Sequence, residues 1–120
     1  MTPLEKDIEK ALGRMVGRCG GLCLKWVCPG WAGVPDRIIL LPGGRILFVE
    51  LKRPQGGKVA QLQRWWAKKL AELGFTHLLV RSHEDVKAVE ALIASNPQDA
   101  HRGYTGVCFR DDGEVHHGEV

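Results

Sequence analysis

Asp36, Glu50 and Lys52 are the residues whose types and spacing best suit chemistry. They are an acid behind Pro35 and, fourteen residues on, an acid and a base two positions apart. Two carboxylates within a few ångströms repel each other unless a cation lies between them, and an octahedral Mg²⁺ held by a carboxylate pair plus waters is the ordinary solution. A lysine beside such a pair can contact a phosphate or the attacking water while the metal polarises the P–O bond and lowers that water's pKa. A structural salt bridge between Glu50 and Lys52 at a strand end satisfies the same spacing, so the chemistry depends on what places Asp36.

The neighbouring elements supply that placement. Arg45 to Lys52 reads as a strand, rich in large apolar and β-branched residues. Its alternation puts Ile46, Phe48, Glu50 and Lys52 on one face and Leu47, Val49 and Leu51 on the other. An acid and a base buried there without partners are costly, so they must pair with each other, with Asp36 or with a metal. Pro42-Gly43-Gly44 is a tight hairpin connection back to a strand over Arg37 to Leu41. A hairpin centred there opposes positions that sum to about 86, which sets Asp36 against Glu50. The loop from Pro29 to Pro35, dense in turn formers and carrying Trp31, delivers Asp36 to the start of its strand.

Around this hairpin the periodicities predict a helix from Pro3 to about Arg18. It opens on a Thr2 capping box and buries a stripe of Leu4, Ile8, Ala11, Leu12 and Met15. A strand is expected over Leu22 to Cys28, and a second helix from about Lys58 to Leu73 with Val59, Leu62, Trp66, Leu70 and Leu73 inward. Gly74 caps that helix, Thr76 to Arg81 is a short strand, and Ser82 caps a third helix that ends near Asn96-Pro97. A strand reached through a long helix suits a parallel crossover, so the sheet is expected to be mixed. The fold class is α/β, with a domain over residues 1–97. Residues 98–120 form a polar tail, part of the same domain or flexible, with a possible hairpin around Asp111-Asp112-Gly113 flanked by Val107-Cys108-Phe109 and Val115.

With 120 residues, 44% hydrophobic and 26% charged, the composition is that of one ordinary domain. Little material remains for a separate recognition domain, a gap that dimerisation would fill. The net charge of +3 is compatible with a polyanionic partner without identifying one. Cations do gather between Lys52 and Lys69, with Trp65 and Trp66 among them, a pattern that a solvated helix face with apolar anchors also satisfies. No run approaches the roughly 18 apolar residues a bilayer span needs, and the acidic start reads as neither signal peptide nor anchor. Cys19, Cys23, Cys28 and Cys108 contain no Cys-x-x-Cys pair, and reduced cytosolic thiols are the expectation over a zinc site.

Pro35-Asp36 followed by Glu50-x-Lys52 resembles the PD-(D/E)xK nuclease superfamily. Gly33-Val34-Pro35-Asp36-Arg37-Ile38, Phe48-Val49-Glu50-Leu51-Lys52, Gln63-Arg64-Trp65 and Leu70-x-x-x-Gly74 together resemble the VRR-NUC family of virus-type and repair nucleases, over roughly residues 4 to 93. The resemblance implies a restriction-endonuclease-like core, a mixed sheet flanked by helices, and hydrolysis of DNA phosphodiesters with Mg²⁺ or Mn²⁺. It implies Asp36, Glu50, Leu51 and Glu5 at the metal, Lys52 beside it, and Gln63 as an amide that orients the water or the lysine. Glu5 fits the family's Glu-x-x-Ile pattern on the first helix and Glu9 is its competitor, while Glu5 as no more than the N3 acid of the capping box stays open. Gln63 as a surface helix residue stays open too. Trp31 can stack on a base or plug a hydrophobic gap, and Arg53, Lys58 and Arg64 can contact phosphates. The resemblance to the stand-alone, virus-type members implies a homodimer that acts on four-way junctions in the cytoplasm of a bacterial or phage-infected cell. The alternatives are a monomeric flap or repair nuclease, or a non-cleaving DNA-binding module, against which the intact trio argues.

Overall fold

The computed structural model describes residues 3–52, 60–95, 107–109 and 115–117. Helix α1 (Pro3–Arg18) leads through Gly20 and Gly21 into strand β1 (Leu22–Lys25). A hairpin of β2 (Arg37–Leu41) and β3 (Arg45–Leu51) follows, joined by a single 3₁₀ turn over Pro42–Gly44. Helix α2 (Gln61–Glu72), strand β4 (Thr76–Val80) and helix α3 (His83–Ser95) complete this unit. The strand order is β1-β2-β3-β4, antiparallel except for the β3–β4 pair, which is parallel. The sheet is therefore mixed, as the helical crossover through α2 requires.

Arg37 pairs with Val49 and Leu41 with Arg45, so the register has the sum expected from a hairpin centred on Gly43. Gly43 and Gly44 both have positive φ, 82° and 83°, which makes the turn that short without strain. Below the sheet, Ile39, Leu41, Leu47, Val49, Leu51 and Val80 pack on Ile8, Leu12, Met15 and Val16 of α1 and on Val86 and Val89 of α3. Arg45 is buried at the edge of this layer. It donates to the carbonyls of Ile93, at 2.8 Å, and Leu92, both in the last turn of α3. Asp85 N–H donates to Ser82 Oγ at 3.1 Å, the expected cap of α3.

Several boundaries and faces differ from the sequence reading. Strand β1 stops at Lys25, not Cys28, because Trp26 makes one more bond, N–H to the Asp36 carbonyl at 3.0 Å, before the Pro29-Gly30 turn carries the chain away. Leu4 lies exposed, ahead of where α1 reaches the sheet. Helix α2 begins at Gln61 because Ala60 is still extended (φ −71°, ψ 159°). Its inward stripe is Gln63, Trp66, Ala67 and Leu70, while Leu62 and Leu73 are exposed. Strand β4 ends at Val80, and Asp85 takes the Arg81 N–H at 2.8 Å. Strands β5 (Val107–Phe109) and β6 (Val115–His117) pair antiparallel, matching the tail hairpin. The Thr2 cap and Val59 lie outside the described residues.

Candidate active site

Asp36 and Glu50 meet where β2 begins and β3 ends. The hairpin register continues past Arg37–Val49 to place them opposite each other, and backbone bonds fix the spot on both sides. Leu51 N–H donates to Asp36 Oδ2 at 2.8 Å, Trp26 N–H holds the Asp36 carbonyl, and Lys52 N–H donates to Val80 O at 3.0 Å. Glu50 is only 1% exposed. Gln63 Nε2 donates to Glu50 Oε1 at 3.0 Å, and Gln63 Oε1 accepts from Ala60 N–H, also at 3.0 Å. One amide thus caps the start of α2 and orients the glutamate, which settles its position: Gln63 faces the sheet.

Glu50 Oε2 is buried and receives no hydrogen bond from a donor. The group that faces Glu50 is the carboxyl of Asp36. Burial, followed by that carboxyl, pushes the Glu50 pKa up to about 8, against a smaller opposing pull from the Lys52 ammonium. A glutamate so placed needs either a proton or a cation, since an unpaired buried carboxylate costs several kcal/mol. Among the described residues Lys52 makes no ion pair with Glu50, so the structural salt bridge that the spacing also permitted is not formed. Lys52 stands half-buried one pleat beyond the acid, within reach of its field.

An aromatic wall backs the pair on the α2 side. Trp26 lies 5.3 Å from Phe48 and 5.8 Å from Trp66 between ring centroids, and Trp66 Nε1–H donates to the Ala32 carbonyl at 2.9 Å. This bond ties the Pro29–Pro35 loop to α2. Gly33 makes the tie possible: its φ is +81°, and a Cβ there would lie 2.6 Å from the Cβ of Leu62. Trp31 is exposed on that loop, edge-on to Trp66 at 5.8 Å.

Of the other residues singled out in the sequence, Arg64 is exposed on the outer side of α2. Arg53 and Lys58 lie outside the described residues. On α1, Glu9 is ion-paired with Arg37, and Arg37 Nη1 donates to the Asp36 carbonyl at 3.0 Å. Glu5, half-buried, lies one turn nearer the helix start. Among the described residues no group of three His, Cys, Asp or Glu side chains is placed to hold a metal ion. The Glu9–Arg37 link went unread in the sequence. Its signal was there: Arg37 alternates onto the α1 side of β2, where a cation requires an acid from α1.

A phage protein, "Putative nuclease p44" of Acyrthosiphon pisum secondary endosymbiont phage 1, is 40% identical over 85 residues, 71% of this chain and 89% of its own length. A solved structure described as "VRR_NUC domain" superposes with a TM-score of 0.69 at 27% identity, covering 73% of this chain and 95% of its own. Another, "VRR_NUC domain protein", shares the fold at 16% identity with a TM-score of 0.55, covering 82% of this chain and 91% of its own. No family model matches the sequence. The mixed sheet with flanking helices is the restriction-endonuclease-like core of these domains.

Proposed function

Because the chain belongs to the VRR-NUC family of nucleases, we propose that it is a divalent-metal-dependent DNA endonuclease of the PD-(D/E)xK type that resolves four-way junctions as a homodimer. The observation that carries the metal is Glu50 Oε2, buried and without a donor, on a carboxyl that lies against that of Asp36. These residues fit a hard divalent cation, which takes carboxylate and carbonyl oxygens and keeps waters. Asp36 and Glu50 would hold Mg²⁺ or Mn²⁺, with the Leu51 carbonyl and Glu5 as further oxygen donors. When bound, the ion supplies Lewis-acid polarisation of the phosphodiester and lowers the pKa of a bound water.

The protein's own part is positioning and charge. Leu51 N–H and Gln63 Nε2 each occupy one oxygen of Asp36 and Glu50, which orients both carboxyls before any ligand arrives. Lys52 carries a positive charge to the scissile phosphate, where charge develops, or to the attacking water. Trp31, Arg53, Lys58 and Arg64 are the residues that contact the DNA in this reading. The catalytic unit spans residues 1–97, and a small domain reaches two opposed strands of a junction by pairing with a second copy. Among the described residues no helix is long and apolar enough to cross a membrane, and the setting is the cytoplasm of a bacterial or phage-infected cell.

A side-by-side assay of four-way, flap, splayed and linear duplex DNA, with Mg²⁺ and with Mn²⁺, tests this reading together with the solution mass. The expected result is a dimer that makes paired, symmetric nicks in the four-way junction and is silenced by Asp36→Ala, Glu50→Ala or Lys52→Ala. Full activity in excess EDTA or in Lys52→Ala would overturn the assignment. A monomer that cuts flaps as well as junctions would replace the resolvase with a flap or repair nuclease.

A further inference from the structure

We propose that Trp31 and Trp65 form a base-stacking shelf at the rim of the active site, which takes up bases that unstack at the branch point of the DNA, next to the bond that is cut. The proposal rests on the nuclease reading above and adds what the site recognises. Trp31 is 59% and Trp65 47% exposed, a large apolar surface to leave in water on a small domain. Each ring stands edge-on to Trp66, at 5.8 Å and 5.3 Å, so both flank a third indole that is itself fixed. Trp66 is held by the bond to the Ala32 carbonyl and by its contact with Trp26.

The shelf is close to the chemistry. Trp66 follows Gln63 by three residues on the inward stripe of α2, about 5 Å along the helix axis, and Gln63 touches Glu50. The contact of Gly33 with Leu62 keeps the Trp31 loop seated on α2. Rings presented in this way accept any base, because every base has a π face. Lys69, four residues after Trp65 and one turn along the same flank, is exposed and suits the phosphates that follow a stacked base. The same cation disfavours covering this flank with a second copy of itself, which would bring like charges together.

Fluorescence and anisotropy titrations in EDTA, with an oligothymidylate and with a blunt hairpin duplex of equal nucleotide count, test the shelf without cleavage. The oligothymidylate is expected to quench tryptophan emission. Trp31→Ala and Trp65→Ala should each weaken its binding by about tenfold, with duplex binding changed by less than about twofold. Trp65→Phe should restore most of the loss, and unchanged melting temperatures would show that the variants fold. Equal loss on both DNA forms would overturn the proposal. So would wild-type single-strand binding by Trp65→Leu, where apolar bulk alone suffices. Conversion of a dimer to a monomer by Trp65→Ala, read by light scattering, would reassign the patch to a second copy. If the wild-type protein cleaves no DNA yet shows tryptophan-dependent single-strand binding, the shelf stands and the nuclease reading falls.

Discussion

The two faces of strand β3 are both buried, yet they are built on opposite terms. Leu47, Val49 and Leu51 point into a layer of aliphatic side chains from α1 and α3, where each is 4% exposed or less. Phe48 and Glu50 point the other way, to α2 and the tryptophans, and Glu50 is buried as deeply as those aliphatics. The first face follows what burial rewards. The second places an acid opposite another acid and leaves one oxygen without a donor, an arrangement that packing alone disfavours. A strand that meets the folding requirement on one side can carry a destabilising group on the other, as the metal-binding role proposed for Glu50 would require.

The largest effect should separate the faces outright. Asp36→Asn or Glu50→Gln is expected to lower DNA cleavage on the order of a thousandfold or more, with the folded structure kept. Leu12→Ala, on the opposite layer, is expected to cost about 2–5 kcal/mol of stability and little activity per folded molecule. Single-turnover rates and urea unfolding of the same preparations check the contrast. It breaks if Leu12→Ala is as inactive as Glu50→Gln at a temperature where both are folded.

The next effect is on stability and has a definite sign. The folded pKa of Glu50 stands near 8, above the ordinary 4.5. The protonated form is therefore favoured by folding, and that contribution is fully present below about pH 4.5 and lost as pH rises through 8. In EDTA, raising the pH from about 5 to about 8.5 should cost the wild-type protein roughly 4 kcal/mol more than it costs Glu50→Gln. Addition of Mg²⁺ or Mn²⁺ near neutral pH should restore stability and release a proton from the wild type alone. Parallel pH profiles for the two proteins would show that Glu50 is ionised at ordinary cost and that the faces differ less than their geometry indicates.

Gln63 comes third. Gln63→Ala removes both the donor to Glu50 and the acceptor for the Ala60 N–H, and should reduce metal affinity or cleavage by about 10–100-fold. Gln63→Glu keeps the acceptor that caps α2 and replaces the donor with a third carboxylate. It should retain helix stability near wild type while cleaving no better than Gln63→Ala. Calorimetric Mn²⁺ titration alongside thermal melts distinguishes the two functions of one amide.

How far these features could be read in the sequence depended on whether local rules governed them. The β2–β3 hairpin was legible because two glycines fix the turn and the period of two then fixes every facing pair, including Asp36 with Glu50. The aliphatic layer was legible from helical spacing in α1. The inward face of α2 was legible only in part: Trp66 and Leu70 do face inward, but Leu62 and Leu73, which fit the same stripe, are exposed, because that face is shared with the Asp36–Glu50 carboxyls and a tryptophan wall, so Gln63 took an inward position that apolar periodicity would never award it. The end of β1 was missed for a similar reason, since apolar alternation runs to Cys28 while the loop that must reach α2 draws the chain away after Trp26. The Arg37–Glu9 link joins residues 28 positions apart: the alternation of β2 puts Arg37 on the α1 side, but no local pattern names the acid that meets it.

That link supplies the smallest and most discriminating test, because Arg37 belongs to both faces. Its side chain lies with α1, paired to Glu9, while its Nη1 reaches the carbonyl of Asp36. Arg37→Met should break the pair and cost about 1–3 kcal/mol of stability, as expected when a partly buried partner is left alone. Cleavage should fall only a few-fold, since Trp26 N–H still holds the same carbonyl and Leu51 N–H still holds the side chain. Arg37→Lys keeps the charge opposite Glu9 but cannot fork to the carbonyl, so it should recover most of the stability and less of the rate. Metal half-saturation, measured with each variant, should shift in step with the rate. If Arg37→Met cleaves as poorly as Asp36→Asn while still folded, the α1 face helps to build the site directly, and the division between a face that folds and a face that cuts does not hold.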